Sequence, residues 1–367
     1  MPPQATRAKV VLNGRFLSAP QTGVQRVAAN LIQGLDRVLA ATAPEDYRGW
    51  EVRAPRGPKH PLPLARIGLC DDSRLRGQAW EQLELPMAAG GSALVNLCNA
   101  GPLLAPSAVT MIHDAQVYLA PDSYSPAFRR WYRLALPALS ARSRLVVTVS
   151  EFSRQMLARF GVAPPERIRV VPNGADHMLE VAAEPGILDR LGLSRGGFVF
   201  AFGSLQAHKN LGVLLRAFAD PRLADLRLVL SGALSPAALL AAFGAAPGRN
   251  VLLAGRLADG EIRALLEAAA GLACPSTTEG FGLPPLEAMI LGCPAIVAPA
   301  GALPEVCGEA ALYAPADDVD AWVQAIRTLA AESAGRAERA AAVRAHAAAY
   351  SWRRSAERLF DLIREAA

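Results

Sequence analysis

One order of short apolar runs and amphipathic helical stretches occurs twice along this chain, and few folds accommodate such a pattern. Near the start, "KVVLN" reads as a strand and "GRFLSAPQTG" as the loop after it. A helix follows in which Val24, Val27, Ala28, Leu31, Leu35 and Val38 share one face at the helical period. "ALVNLCN", "AVTMIHD" and "RLVVTVS" read as further short buried strands, with helical patterns such as Phe128–Leu139 between them. The pattern restarts at "FVFAFGS". It continues through a helix from Asn210 to Ala219, "LRLVLSG", helix Pro236–Phe243, "NVLLAG", helix Gly260–Ala270, "GLACPS", a helix near Pro285–Leu291 and "PAIVAP". Strands that alternate with helices must lie parallel, joined by right-handed crossovers. The expected fold class is therefore α/β, with two Rossmann-like doubly wound parallel-sheet domains facing a cleft. Ligands in such sheets bind beyond the carboxyl ends of the strands.

Length agrees with two domains, since 367 residues exceed what one core usually serves. Polar, Pro/Gly-containing sequence at Ala175–Gly186 marks the join. The expected division is 1–178, 179–350, and a C-terminal helix at 351–367 that crosses back to the first domain. Apolar residues make up 52% and charged residues 19%, which excludes global disorder. The net charge of +5 comes almost wholly from arginine, the lysines being Lys9, Lys59 and Lys209. Such a balance suits a protein that handles phosphate or meets an anionic membrane, and does not by itself indicate nucleic acid. Five scattered cysteines without metal-ligand spacing read as reduced thiols, and the N-terminus has no long apolar signal region. Two uncharged stretches, Met87–Ile112 and Leu228–Gly248, are cut by Gly and Pro and should not span a bilayer. The expected location is cytoplasmic.

Chemistry concentrates in the second half. Lys209 stands at a strand–loop–helix junction, where free amides and the helix dipole attract an anion, with Gly203 and Ser204 just upstream. In "PSTTEGFGLPPLEAMILG", Glu279 precedes a turn containing Gly280 and Gly282, its carboxylate free to enter the cleft, and Glu287 lies in the helix that the Pro-Pro step begins. The glycines let the backbone approach a ligand closely. Simpler roles exist for each acid, a cap for Glu279 and a dipole partner for Glu287, but the pair around two glycines favours binding. In the first half, His113 and Asp114 end a strand, and Gly23 opens a helix as a second phosphate-facing turn. No G-x-G-x-x-G fingerprint occurs there, which disfavours a nicotinamide enzyme. Ser125–Arg144 combines five arginines with Phe128, Trp131 and Tyr132. An ordinary helix with a wet arginine face is the main reading, and peripheral contact with an anionic membrane the lesser one. "DDVD" at Asp317–Asp320 reads as an N-cap rather than a metal site.

These segments resemble the family-four, retaining nucleotide-sugar glycosyltransferases of the GT-B fold. "GSLQAHKNL" looks like the family's donor-phosphate loop. The run from "PSTTEGFG" to "EAALYAP" is similar over its whole length to its two-glutamate hallmark, and is the most specific part. "HD" and "VSEFSR…RIRVVPNGAD" match the first domain and crossover, and "NGRFLSAPQTGVQR" looks like the start of members that build bacterial surface polysaccharides. The resemblance covers essentially the entire chain.

It implies that Lys209 grips the donor diphosphate, with the Gly23 amide opposite. Glu279, helped by the Phe281 and Gly282 amides, would hold sugar hydroxyls. Glu287 would hold the ribose, and His113 would touch the sugar near the reacting carbon. Donor contacts extend by the same likeness to Asp114, Gly203, Ser204, Arg256, Leu257, Gly280 and Leu283. The implied reaction moves a hexose or deoxyhexose, mannose favoured, from a nucleotide-diphosphate sugar to a glycan or lipid-linked saccharide, with no metal or other cofactor. A GDP-sugar is the favoured donor, with dTDP- and UDP-sugars as alternatives. Where relatives often carry arginine, this chain has Ser204 and His208, and Thr278 replaces a frequent aromatic. Those departures leave the donor sugar open. Two other classes remain: a non-catalytic GT-B scaffold that binds a partner, and a nucleotide-sugar epimerase.

Overall fold

A computed structural model describes residues 10–41, 49–244, 246–331 and 335–367. The chain divides into two compact units. One takes the residues up to Ala115 with Pro126–Gly174 and Ser351–Ala367; the other takes Gln116–Ser125 and Ala175–Tyr350.

The first unit is built on β1 (Val10–Asn13), β2 (Trp50–Arg53), β3 (Gly68–Cys70), β4 (Ala93–Asn96), β5 (Ser107–Met111), β6 (Ser143–Thr148) and β7 (Ile168–Val170). All pair in parallel in the order β3-β2-β1-β4-β5-β6-β7. Val10 sits between Trp50 and Ala93, so β1 is central and its apolar run is buried throughout. The amphipathic Gly23–Ala40 helix packs against the Trp352–Ala366 helix. Gly34 permits that approach, since a Cβ there would lie 2.7 Å from Cβ of Ala356.

The second unit carries β8 (Phe198–Phe202), β9 (Arg227–Ser231), β10 (Val251–Gly255), β11 (Gly271–Cys274), β12 (Ala295–Val297) and β13 (Leu312–Tyr313), all parallel, in the order β10-β9-β8-β11-β12-β13. Leu214, Phe218, Leu230, Ile296 and Trp322 share one core. Burying each such side chain contributes roughly 1.5–3 kcal/mol. Trp322 is fully buried, and its Nε1–H donates to the Pro315 carbonyl at 2.9 Å, so no polar group is stranded.

The units differ from the expected 1–178 and 179–350 in two ways. The cut falls after Gly174, because the Ala175 amide already bonds the Tyr350 carbonyl within the second unit. Residues 116–125 also belong to that unit. The Ser123 hydroxyl contacts Nδ1 of His208 at 2.7 Å, and the Tyr124 ring stacks on the same imidazole. A ten-residue excursion held by polar contacts leaves no hydrophobic period to read. Strand β3 escaped the sequence reading for a related reason, being a three-residue edge strand with Gly68 and Leu69 exposed, and β2 escaped it too although Trp50 and Val52 are buried.

The arginine-rich segment forms one helix, Pro126–Arg142, which buries Ala135, Leu136 and Leu139 and exposes Phe128, Trp131 and Leu134. Beyond it, Arg144 is engaged structurally, donating to the Ala366 carbonyl at 2.8 Å. Asp318 caps the Val319–Ala331 helix through the Ala321 amide at 2.9 Å. No helix among the described residues is long and apolar enough to cross a membrane.

Candidate functional site

In the second sheet the chain reverses its winding between β8 and β11, which lie side by side. Loops after such neighbours diverge and leave a crevice at the carboxyl ends of the strands. Lys209 follows β8 and Glu279 follows β11, so the fold itself delivers both to that point.

The loop after β8 makes a short 3₁₀ turn, Ala207–Lys209, before the Leu211–Ala217 helix begins. Between them Asn210 adopts a left-handed conformation, φ 51°, uncommon for any residue but glycine and best tolerated by Asn. Its Nδ2 donates to the carbonyls of Pro275 at 3.1 Å and Ala316 at 2.7 Å, which locks the turn. The Thr277 amide donates to the His208 carbonyl at 2.8 Å and so ties the loop after β11 to the loop after β8.

Lys209 Nζ lies 2.7 Å from Glu279 Oε1, and the Ser276 hydroxyl donates to the same oxygen at 2.6 Å. Glu279 was expected with its carboxylate free; it is instead an anchored ion-pair partner. Burial pushes its pKa up, but the Lys209 charge and the hydrogen bonds from Lys209 and Ser276 outweigh that and hold it below the usual carboxylate range. The His208 pKa is lowered by burial first and by the Lys209 charge second, so this ring is neutral at neutral pH. Ser204, Lys209, Ser276 and Glu279 line a cavity of about 70 Å³.

The other expected residues fall as follows. Gly203 donates to the Ser231 carbonyl at 2.6 Å, and a Cβ there would strike Leu234. Gly280 and Phe281 are buried, with Phe281 edge-on to Tyr350, and Gly282 takes φ 100° before Leu283 starts the Leu283–Ile290 helix. Glu287 is buried in that helix with Nε2 of His177 at 3.0 Å from its Oε1. Arg256 and Leu257 follow the edge strand β10 and do not line the Lys209 cavity. In the first unit, Gly23 is the first residue of its helix, behind a Thr22–Gln25 capping box, with open space where a Cβ would stand. Asp114 is half-buried. His113 is buried and neutral, its pKa lowered to about 4 by burial against the hydrogen bond to Leu97. A carbonyl can only accept, so Nε2–H donates to the Leu97 oxygen at 2.8 Å and the lone pair sits on Nδ1. Such a ring suits positioning rather than proton transfer. Among the described residues, no three His, Cys, Asp or Glu cluster so as to hold a metal ion.

The profile of "Glycosyltransferase Family 4" matches residues 22–178 and that of "Glycosyl transferases group 1" matches residues 197–332. The chain belongs to the family-four, group-1 glycosyltransferases. It is 34% identical over 225 residues to the O-antigen chain mannosyltransferase B of Escherichia coli, covering 58% of this chain and 58% of the relative. It is 33% identical over 243 residues to the MMP alpha-(1->4)-mannosyltransferase of Mycolicibacterium hassiacum, covering 62% of this chain and 56% of the relative. The match thus spans little more than half the length of these relatives. In fold it is similar to the Anabaena HepE structure in complex with UDP-glucose, with TM-score 0.70 at 19% identity over 98% of this chain and 100% of that one. The fold is GT-B.

Four positions of this site escaped the sequence reading. His177 and Ser276 lie inside recognised segments, "NGADH" and "CPST", so their polar character next to each glutamate was the available signal. Asn210 could be suspected only from its place after the lysine. Gly301 gave none. It has φ 63°, and a Cβ would lie 2.5 Å from the backbone N and O of Glu279, while the next amide, that of Ala302, donates to the Glu279 carbonyl at 2.9 Å. Gly301→Ala is therefore expected to cost roughly 1–3 kcal/mol and to shift Glu279. Urea unfolding together with turnover checks this, and a variant as stable and active as wild type would refute the contact.

Proposed function

We propose that this protein is a retaining hexosyltransferase acting on a nucleotide-diphosphate sugar. The observation that carries the reading is the Lys209–Glu279 pair at 2.7 Å, set by β8 and β11 at the reversal of the second sheet. Lys209 meets the donor diphosphate, and Glu279 Oε2 accepts a sugar hydroxyl. Glu287, steadied by His177, takes the ribose. As transfer proceeds, the acceptor oxygen bonds to the anomeric carbon while the bond from that carbon to the diphosphate oxygen breaks. The electron pair leaves on the diphosphate, which also takes the acceptor's proton. Negative charge grows on the leaving group, so a fixed cation there stabilises the transition state more than the bound substrate.

The names of the two relatives support mannose as the sugar moved and a bacterial glycan as its destination. The UDP-glucose in the HepE structure keeps UDP-sugars among the donors. Incubation with GDP-mannose, UDP-glucose and dTDP-rhamnose, each with and without a saccharide acceptor, tests the reading. Acceptor-dependent release of one nucleoside diphosphate is expected, with NMR of the product showing the donor's anomeric configuration kept. Release of isomerised donor without acceptor would make it an epimerase. Binding no nucleoside diphosphate at all would leave a scaffold.

A further inference from the structure

The Lys209 ammonium and the Glu279 carboxylate cancel one another in the second unit. The diphosphate of a nucleotide sugar is negative on both phosphates, so its arrival there adds negative charge beyond what that pair balances. The residue before Lys209 is a histidine, the side chain whose charge changes most readily near neutral pH.

His208 is held in a way that suits either charge state. Its own amide donates to the Ser123 hydroxyl oxygen at 3.3 Å, and its Nδ1 lies 2.7 Å from that same oxygen. With the amide as donor, the hydroxyl proton can point to Nδ1 of a neutral ring. A hydroxyl oxygen also has two acceptor positions, so after protonation it can accept from the amide and from Nδ1–H together. The contact therefore survives a change of charge, and the ring need not move. The Tyr124 ring lies nearly parallel to the imidazole, centroids 6.4 Å apart, and an aromatic face tolerates a cation. The Thr277 amide, donating to the His208 carbonyl at 2.8 Å, fixes the backbone as well.

The groups that face the ring are therefore few. Ser123 and Tyr124 come from the 116–125 segment, Lys209 from the ring's own loop, and Glu279 from the loop after β11. Asp122, on the same turn as Ser123, is not among the charges that act on it. Burial and then the Lys209 charge favour the neutral ring, and Glu279 opposes them. A diphosphate shifts that balance, because it adds negative charge and neutralises the ammonium that repels a proton. Charge a few Å away in a partly buried site moves a protonation equilibrium about tenfold or more.

We propose that His208 takes up a proton from solvent when a nucleotide-sugar diphosphate binds, and so supplies a second positive charge beside Lys209 only while the donor is present. The proposal rests on the reading of Lys209 as the diphosphate's partner. Its sign is fixed: the ring holds a proton more firmly in the complex, so affinity is highest at low pH and falls as pH rises towards the pKa of the bound ring.

Titration calorimetry of the full chain with GDP-mannose, UDP-glucose and dTDP-rhamnose, without acceptor, in PIPES, imidazole and Tris buffers at about pH 7, tests it. These diphosphate diesters do not titrate near neutrality, so the slope of heat against buffer ionisation enthalpy counts protons taken by the protein. Net uptake is expected with the sugar nucleotide that binds, and affinity about tenfold tighter at about pH 6 than at about pH 8. His208→Arg, charged throughout, is expected to bind without uptake and to hold the low-pH affinity at high pH. His208→Gln is expected to bind about tenfold more weakly than wild type at low pH, also without uptake. Thermal unfolding checks that both variants fold, and the wild-type titrations stand without them. A merely structural role for His208 would leave wild-type binding free of proton uptake. Donor binding without uptake in wild type, or uptake that persists in His208→Gln, would overturn the proposal and leave the donor site standing. Failure of all three nucleotide sugars to bind would overturn both the proposal and the reading beneath it.

Discussion

Replacement of Lys209 by alanine is expected to slow transfer by about 100-fold or more, the usual effect of deleting one donor aimed at developing charge. That corresponds to about 3 kcal/mol of transition-state stabilisation. The reason is local. Lys209 supplies the ammonium at the reversal of the second sheet, beside the loop after β11, and Asn210 fixes the turn that presents it. His208, the adjacent titratable group, is kept neutral by burial and by the lysine itself, so it adds no charge to the free protein at neutral pH. Removing Lys209 also strands Glu279 in a mostly buried position, and breaking such a pair is destabilising. Lys209→Gln separates the two effects, since its amide can still donate to Glu279 while the charge is gone. Both variants should bind nucleoside diphosphate more weakly and turn over slowly, and the glutamine variant should unfold nearer the wild-type temperature. Near-wild-type turnover in either would remove Lys209 from the mechanism.

Much of this arrangement was legible in the sequence, and the rest was hidden for identifiable reasons. Buried parallel strands are continuous apolar runs, so β8, β9, β11 and their helices declared themselves, and Lys209 and Glu279 followed as the polar residues just past strand ends. The edge strand β3 buries too little to leave a pattern. The Gln116–Ser125 segment joins the second unit through single polar contacts such as Ser123 to His208, which no periodicity encodes. At the site the sequence displayed residue types but not their pairing. Glu279 was read from its loop position as a carboxylate free to enter the cleft, whereas its partner lies seventy positions away on the loop after β8. Glu287 likewise meets a histidine from the segment that precedes the second sheet. Gly301 is the clearest limit: it acts through the space a side chain would occupy, and a glycine in a Gly/Ala/Pro-rich loop shows no trace of what it lies against.

The pairing leads to a result opposite in sign to the lysine variants. Glu279→Gln is expected to tighten nucleoside diphosphate binding, by about tenfold, while slowing transfer by about one to two orders of magnitude. In the free protein the carboxylate would compete with a diphosphate for the ammonium it already holds. Burial alone would push Glu279 towards the neutral form, but Lys209 and Ser276 keep it charged at working pH, so the competition is between full charges. A neutral amide of the same shape weakens that competition, so the ammonium would turn more readily to phosphate. Transfer nonetheless suffers, because the amide is a poorer acceptor for the sugar hydroxyl and the product diphosphate now leaves more slowly. Calorimetry with UDP and GDP reads the first effect, and single-turnover against steady-state rates reads the second. If Glu279→Gln weakened diphosphate binding as Lys209→Ala does, the glutamate would be a support for the loop and not a counter-charge for the amine. If it left both binding and turnover unchanged, the ion pair would have no part in handling the donor. Tighter product with slower transfer requires Glu279 to set how firmly Lys209 holds phosphate, and therefore how readily it lets the product go.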